Sequence, residues 1–158
     1  MSRWLKKLGL AIHPTKTRLC HAREEPFDFL GYTFGPMVSR RTGRGYLGVT
    51  PSKKRVKRFK QSLRTVLRPG NQGRSGEIVA EVNRRLVGWA NYFSLGTLGD
   101  VYRSLDEYSC ILLRRFLVRR HKVPGRGTRR FGNQWLRANL GLVQLYQRRQ
   151  VAPSHALR

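Results

Sequence analysis

A chain of 158 residues with 33 Lys and Arg against eight Asp and Glu carries a formal charge of +25, far beyond what solubility requires, and a polyanion is the partner such a charge calls for. The length admits one compact domain, or two small lobes sharing a core, and is too short for a complete polymerase. The longest apolar run falls well below the roughly 18 to 20 residues of a spanning helix, and the basic start MSRWLKKLGLAIHP carries no small-residue cleavage site, so the chain is expected to remain inside the cell, neither secreted nor in a membrane.

The first predicted element is the end of a helix over Arg3 to Leu10, with Trp4, Leu5 and Leu8 apolar and Gly9 where the helix stops. Strand composition follows at Thr17 to His21 and again at Phe27 to Phe34. In the second of these, FDFLGYTF, aromatic residues stand at 27 and 29 and then at 32 and 34, and the change of parity predicts a bulge at Leu30-Gly31. The turn-rich stretch Ser39 to Gly45 separates this strand from a short one over Tyr46 to Val49. Residues 16 to 49 are therefore expected to form a small antiparallel unit, with Arg40, Arg41 and Arg44 at its tip.

Thr50-Pro51 opens a predicted helix that runs to Arg68, with Thr50 as cap and the proline in the first turn. Val56, Phe59, Leu63, Val66 and Leu67 make its apolar stripe, and Lys53, Lys54, Arg55, Lys57, Arg58 and Lys60 occupy much of the rest. The loop Pro69 to Gly76 leads into a second helix from Ser75, striped by Ile78, Val82, Leu86, Trp89 or Ala90, and Phe93. After a break at Gly96 to Gly99, Asp100 is placed to cap a third helix with Val101, Leu105, Tyr108, Leu112 and Phe116 on one face. His121 to Arg130 reads as a basic loop, and residues 132 to 150 return to mixed aromatic and apolar character, including Trp135, Leu136 and Leu145. The predicted class is α+β, mainly α: a small antiparallel β unit over 1–49, a helical bundle over 50–120 and a basic C-terminal extension over 121–158.

Catalysis finds little support in these residues. The eight acids offer no convergent set for a two-metal centre, and Glu24-Glu25 and Asp106-Glu107 read as solvated or dipole-capping acids. Cys20 and Cys110 are isolated thiols without zinc-site spacing to each other or to the four histidines. No serine sits in a Gly-rich elbow, and GRGYLG lacks the strand-before, helix-after setting of a phosphate loop. Neither an enzyme activity of its own, a bound metal nor a cofactor is expected.

What remains is cationic surface interleaved with aromatic residues. Six cations between Lys53 and Lys60 have no acid among them; such charges repel one another on a helix, and phosphates relieve the repulsion. Asn83 and Asn91, eight apart on one helical face, are polar contact candidates together with Arg84 and Arg85, whereas the spacing of Trp89 and Phe93 suits the core. No acid follows Glu107, while twelve Lys and Arg lie between Ile111 and Arg158, among them Arg119, Arg120, Lys122, Arg126, Arg129 and Arg130. These form a second candidate surface.

LGLAIHPTKTRL (Leu8 to Leu19), FDFLGYTF (Phe27 to Phe34) and NRRLVGWANYF (Asn83 to Phe93), in that order, resemble segments of group II intron reverse transcriptase/maturases. The first two resemble the final blocks of the reverse transcriptase palm. PSKKRVKRFKQSLRTVLR, the NRRLVGWANYF helix and the helix over 100–120 resemble the helical thumb, or maturase domain. The resemblance implies an RNA-binding protein that helps an intron fold and splice, with structured group II intron RNA and RNA/DNA primer-template as partners, in a bacterial cytoplasm or an organelle. It also implies that Lys16 and Thr17 lie on the nucleic-acid-facing side. The family's metal-binding YxDD turn would fall upstream of Met1, and nothing replaces it, so polymerisation is not carried over. The alternatives left open are one part of a split RNA-directed DNA polymerase, working with a separate palm fragment, and a truncated remnant without function.

Overall fold

Aromatic residues flanking Leu30-Gly31 build a hairpin rather than one bulged strand. In the computed structural model, which describes residues 20–151, β1 (Phe27–Phe29) and β2 (Tyr32–Val38) pair antiparallel, Phe27 opposite Phe34 and Phe29 opposite Tyr32. Leu30 and Gly31 are the two turn residues, and both have positive φ, 50° and 88°, the backbone that lets a two-residue turn match the twist of its strands. The parity change predicted as a bulge is thus a reversal of direction, after which the paired aromatics share one face; Phe27 and Phe34 stack with centroids 5.4 Å apart. β3 (Gly45–Pro51) pairs with β2 and completes a three-stranded antiparallel sheet in the order β1-β2-β3. The predicted helix end over Arg3 to Leu10 lies outside the described residues, as do Lys16 and Thr17. Cys20 and His21 carry no strand, and the chain turns at 22–24.

The first helix of the described residues, α1 (Lys53–Val66), begins later than the Thr50-Pro51 signal predicts. Thr50 and Pro51 stay in β3 opposite Thr33 and Tyr32, and Ser52 is the cap, its hydroxyl accepting the Arg55 N–H at 3.4 Å. α2 (Ser75–Tyr92) starts as predicted, with the Glu77 carboxylate accepting the Arg74 N–H at 3.3 Å. α3 (Gly99–Arg120) holds Asp100 inside its first turn, where the acid complements the helix dipole instead of capping. Its buried side is Tyr102, Leu105, Cys110, Leu113, Phe116 and Leu117, rotated from the predicted stripe, so that Val101, Tyr108 and Leu112 are only half-buried. Two shorter helices follow, α4 (Asn133–Leu140) and α5 (Leu145–Val151).

All five helices of the described residues feed one core: Leu63, Leu86, Leu105, Leu113, Leu136 and Leu145 are fully buried and belong to a single cluster. The segment after 121, which the sequence sets apart as a basic extension, contributes Phe131, Leu136, Leu142 and Leu145 to that cluster. The fold is α+β, a small antiparallel sheet followed by a helical bundle.

Sheet and bundle are joined at several points. The Tyr32 hydroxyl donates to the Tyr92 carbonyl at 2.9 Å, and its ring meets Phe93 edge-on at 5.1 Å. Thr97 N–H donates to the Val49 carbonyl at 2.8 Å. This approach depends on Gly96, whose φ is +82° and whose missing side chain would strike the Val49 carbonyl.

A buried acid ties the last helix to the bundle. The Asp106 carboxylate on α3 accepts the N–H groups of Leu145 at 2.8 Å and Tyr146 at 2.9 Å, so it caps α5 from another helix. Burial pushes its pKa above the ordinary 3.8, while those two N–H groups pull it down. Both cysteines are free; burial raises the Cys110 thiol, and Cys20 is half-buried. Among the described residues no cluster of His, Cys, Asp and Glu could hold a metal ion, and no helix is long and apolar enough to cross a membrane.

Candidate nucleic-acid interface

Lys53, Lys57, Lys60 and Arg64 recur along one side of α1 at three- and four-residue steps, beside the buried row of Phe59 and Leu63. That side faces α3. Lys60 Nζ donates to Ser104 Oγ at 3.0 Å and lies 5.1 Å from the Tyr108 ring, and Arg64 Nε donates to the Tyr108 hydroxyl at 2.6 Å. Between α1 and the start of α3 runs an open groove of about 990 Å³, walled by Lys53, Lys54, Lys57, Arg58, Lys60 and Arg64 over the half-buried Val56 and Val101.

Among the described residues lining the groove, Asp100 is the acid. Arg40, from the tip between β2 and β3, engages both its oxygens, at 3.2 Å and 3.4 Å. An acid that would repel phosphate is therefore already paired, and the neighbouring Arg41 is exposed. Arg55 leaves α1 on the other flank and passes over Gly31, where a side chain would come within 3.0 Å of its Nε.

The polar candidates on α2 divide. The Asn83 carboxamide donates to the Gly141 carbonyl at 2.8 Å and accepts the Val143 N–H at 2.9 Å, which clamps the connection between α4 and α5 onto α2. Arg85 binds Glu81 at 2.6 Å and the Ser62 carbonyl at 3.2 Å, and Arg84 binds Glu81 at 2.5 Å. The hydrogen bond from Arg85 holds the Glu81 carboxyl below its ordinary range. Asn83 and Arg85 thus hold the fold together, and Asn91 is exposed.

Arg119, Arg120, Lys122, Arg126, Arg129 and Arg130 gather at the far end of α3 and in the loop after it, all exposed. Arg120 also donates to the Gly73 carbonyl at 2.6 Å, holding the α1–α2 loop against this end. The loop's return is pinned by Arg114, which donates to the Phe131 carbonyl at 2.7 Å and to the Asn133 side chain. From Ser104 to Arg120 the helix advances about 24 Å at roughly 1.5 Å per residue, so two cationic surfaces stand at opposite ends of one rod. Arg64 is a groove cation beyond the predicted run from Lys53 to Lys60, although it continues the Lys53, Lys57, Lys60 row by four residues.

The geometry defines a class: a helical module that shows most of its cations to solvent, with a groove of matching charge and few acids beside it. Residues 56–148 match the family model for the group II intron, maturase-specific domain. The chain belongs to that family. The match runs from within α1 to within α5, so it takes in the shared core and the segment after 121. No curated protein matches the sequence.

Proposed function

We propose that this maturase-type chain binds structured group II intron RNA with the α1–α3 groove, chiefly through phosphates, and so favours the folded form from which the intron splices. The observation that carries the reading is the groove itself: six cations on its wall, and its acid already taken by Arg40. Ammonium and guanidinium groups make their strongest hydrogen bonds to anionic oxygens, and backbone contacts of this kind set position and orientation rather than read sequence. Neutralising phosphates also lowers the repulsion that opposes close packing of RNA helices. No reaction is assigned to the groove; its work is binding, and a primer-template could occupy it by the same chemistry.

The test uses Lys53, Lys54 and Lys57, all exposed on the groove wall. Replacing the three by Gln is expected to weaken binding to a folded group II intron RNA. It should also make the slope of log affinity against log salt shallower by about 2 to 3, at roughly 0.7–0.9 per lost phosphate contact. Thermal melting of the variant should match the parent, because these side chains lie outside the core. An unchanged salt slope would show that the RNA lies elsewhere.

A further inference from the structure

Trp135 shares its sequence setting with the apolar residues of the C-terminal segment, yet it remains 37% exposed while its neighbour Leu136 is fully buried. Its ring stands edge-on to Phe131, centroids 5.2 Å apart. Phe131 is buried, with the His121 ring 5.9 Å from it and the Arg130 guanidinium 5.5 Å from its centroid. Arg114 fixes the Phe131 carbonyl and Asn133, so the indole is mounted on an anchored turn and little is lost in ordering it. The loop that leads into this helix carries the exposed Lys122, Arg126, Arg129 and Arg130, the last lying against the Phe131 ring that the indole meets, and the sequence has no acid after Glu107.

We propose that Trp135 and this cationic loop form a second nucleic-acid site, which takes an unpaired nucleobase on the indole face and the flanking phosphates on the loop. The reading extends the RNA-binding role to a surface that shares no residue with the groove. Base pairs inside a duplex hide their faces in the stack, whereas loops, bulges and ends offer them to aromatic side chains. Cations alone would serve any polyanion; an exposed, rigidly seated indole among them suits a base. An acidic peptide would engage the arginines and leave the indole without a role. With the groove at the start of α3 and the cationic loop beyond its far end, one structured RNA can place a helix in the groove and a neighbouring unpaired segment on Trp135. Joining two contacts in this way raises affinity without any new interaction at either.

The experiment measures binding of the full chain to a short single-stranded RNA, to an abasic strand of the same length, and to polyglutamate. Trp135→Ala is expected to weaken the single-stranded RNA about tenfold, the size of one base stack, with an unchanged salt slope and unchanged binding of the abasic strand. Trp135→Phe should retain most of the affinity. RNA should quench tryptophan emission in the parent and lose part of that effect in Trp135→Phe, a readout that survives even where Trp135→Ala fails to fold. Equal affinity of parent and Trp135→Ala, equal affinity for natural and abasic strands, or displacement by polyglutamate at equal charge each overturns the proposal. The groove is read by the salt slope on folded RNA and this site by dependence on the base, so either can fail alone.

Discussion

Replacing Asp106 with Ala is expected to lower stability by about 2–4 kcal/mol, because two backbone N–H groups at the start of α5 lose their acceptor and one of them, on Leu145, is shut away from water. The loss should show as an earlier denaturant midpoint and as early opening of α5, whose Leu145 is part of the common core. Asp106→Asn should cost less, since its carbonyl oxygen can still accept from one N–H and no charge is buried. The pH dependence has a definite direction. The folded chain holds the Asp106 proton more tightly than the unfolded chain does. The part of its contribution linked to protonation is therefore fully present below the ordinary value of 3.8 and is lost as pH rises through the raised folded value, while the two accepted N–H bonds remain. The stability difference between the parent and Asp106→Asn should accordingly move against the parent as pH rises above the ordinary carboxylate value of 3.8. A cost below about 1 kcal/mol for Asp106→Ala would contradict the capping role.

Leu63→Ala is expected to cost about 3–5 kcal/mol, the range for emptying a fully buried leucine site that cannot collapse around the loss. Leu63 is 0% exposed on the inner face of α1, between Phe59 and Val66. The same helix carries the groove cations one step around its circumference. Packing and binding are therefore linked: Leu63→Ala should also weaken RNA binding by loosening the row formed by Lys53, Lys57, Lys60 and Arg64, while Leu63→Met, which nearly conserves volume, should cost less than about 1.5 kcal/mol. Equilibrium denaturation and an RNA titration of the two variants measure both effects. Full stability in Leu63→Ala would mean that α1 does not rest on the core through this residue.

Periodicity carried most of the fold. The stripes of Phe59 and Leu63 and of Ile78, Val82 and Leu86 became the inner faces of α1 and α2, because an amphipathic helix buries its apolar side whatever its neighbours are. Helix starts were less legible. Thr50-Pro51 reads locally as a good start, but pairing across the sheet holds both residues in β3 and leaves the cap to Ser52. Leu30-Gly31 read as a bulge because leucine is an uncommon residue at positive φ, and two-residue turns usually announce themselves with Asn or Gly there.

The candidate site divides along the same line between local and long-range information. The cations of α1 were visible because a helix sorts residues by spacing alone, and Arg64 could have been found by extending that spacing one more turn. Asn83 could not be assigned from sequence, since its two partners, Gly141 and Val143, lie 58 and 60 positions away. Asp106 is similar: with Glu107 it reads as a solvated or dipole-capping acid, but it is buried and accepts N–H groups 39 and 40 residues further on, which local pattern does not show. Trp135 and Leu136 are neighbours of like polarity, and only the packing of α4 against α3 decides which of them faces water.

Recognition of structured intron RNA by this maturase-family chain is measured by titrating the chain into a folded group II intron RNA at two salt concentrations, with an equal mass of an unrelated structured RNA as competitor. Binding should weaken steeply with salt, as expected when several phosphates are engaged, and should persist against the competitor. Complete displacement by the unrelated RNA, or affinity indifferent to salt, would contradict it.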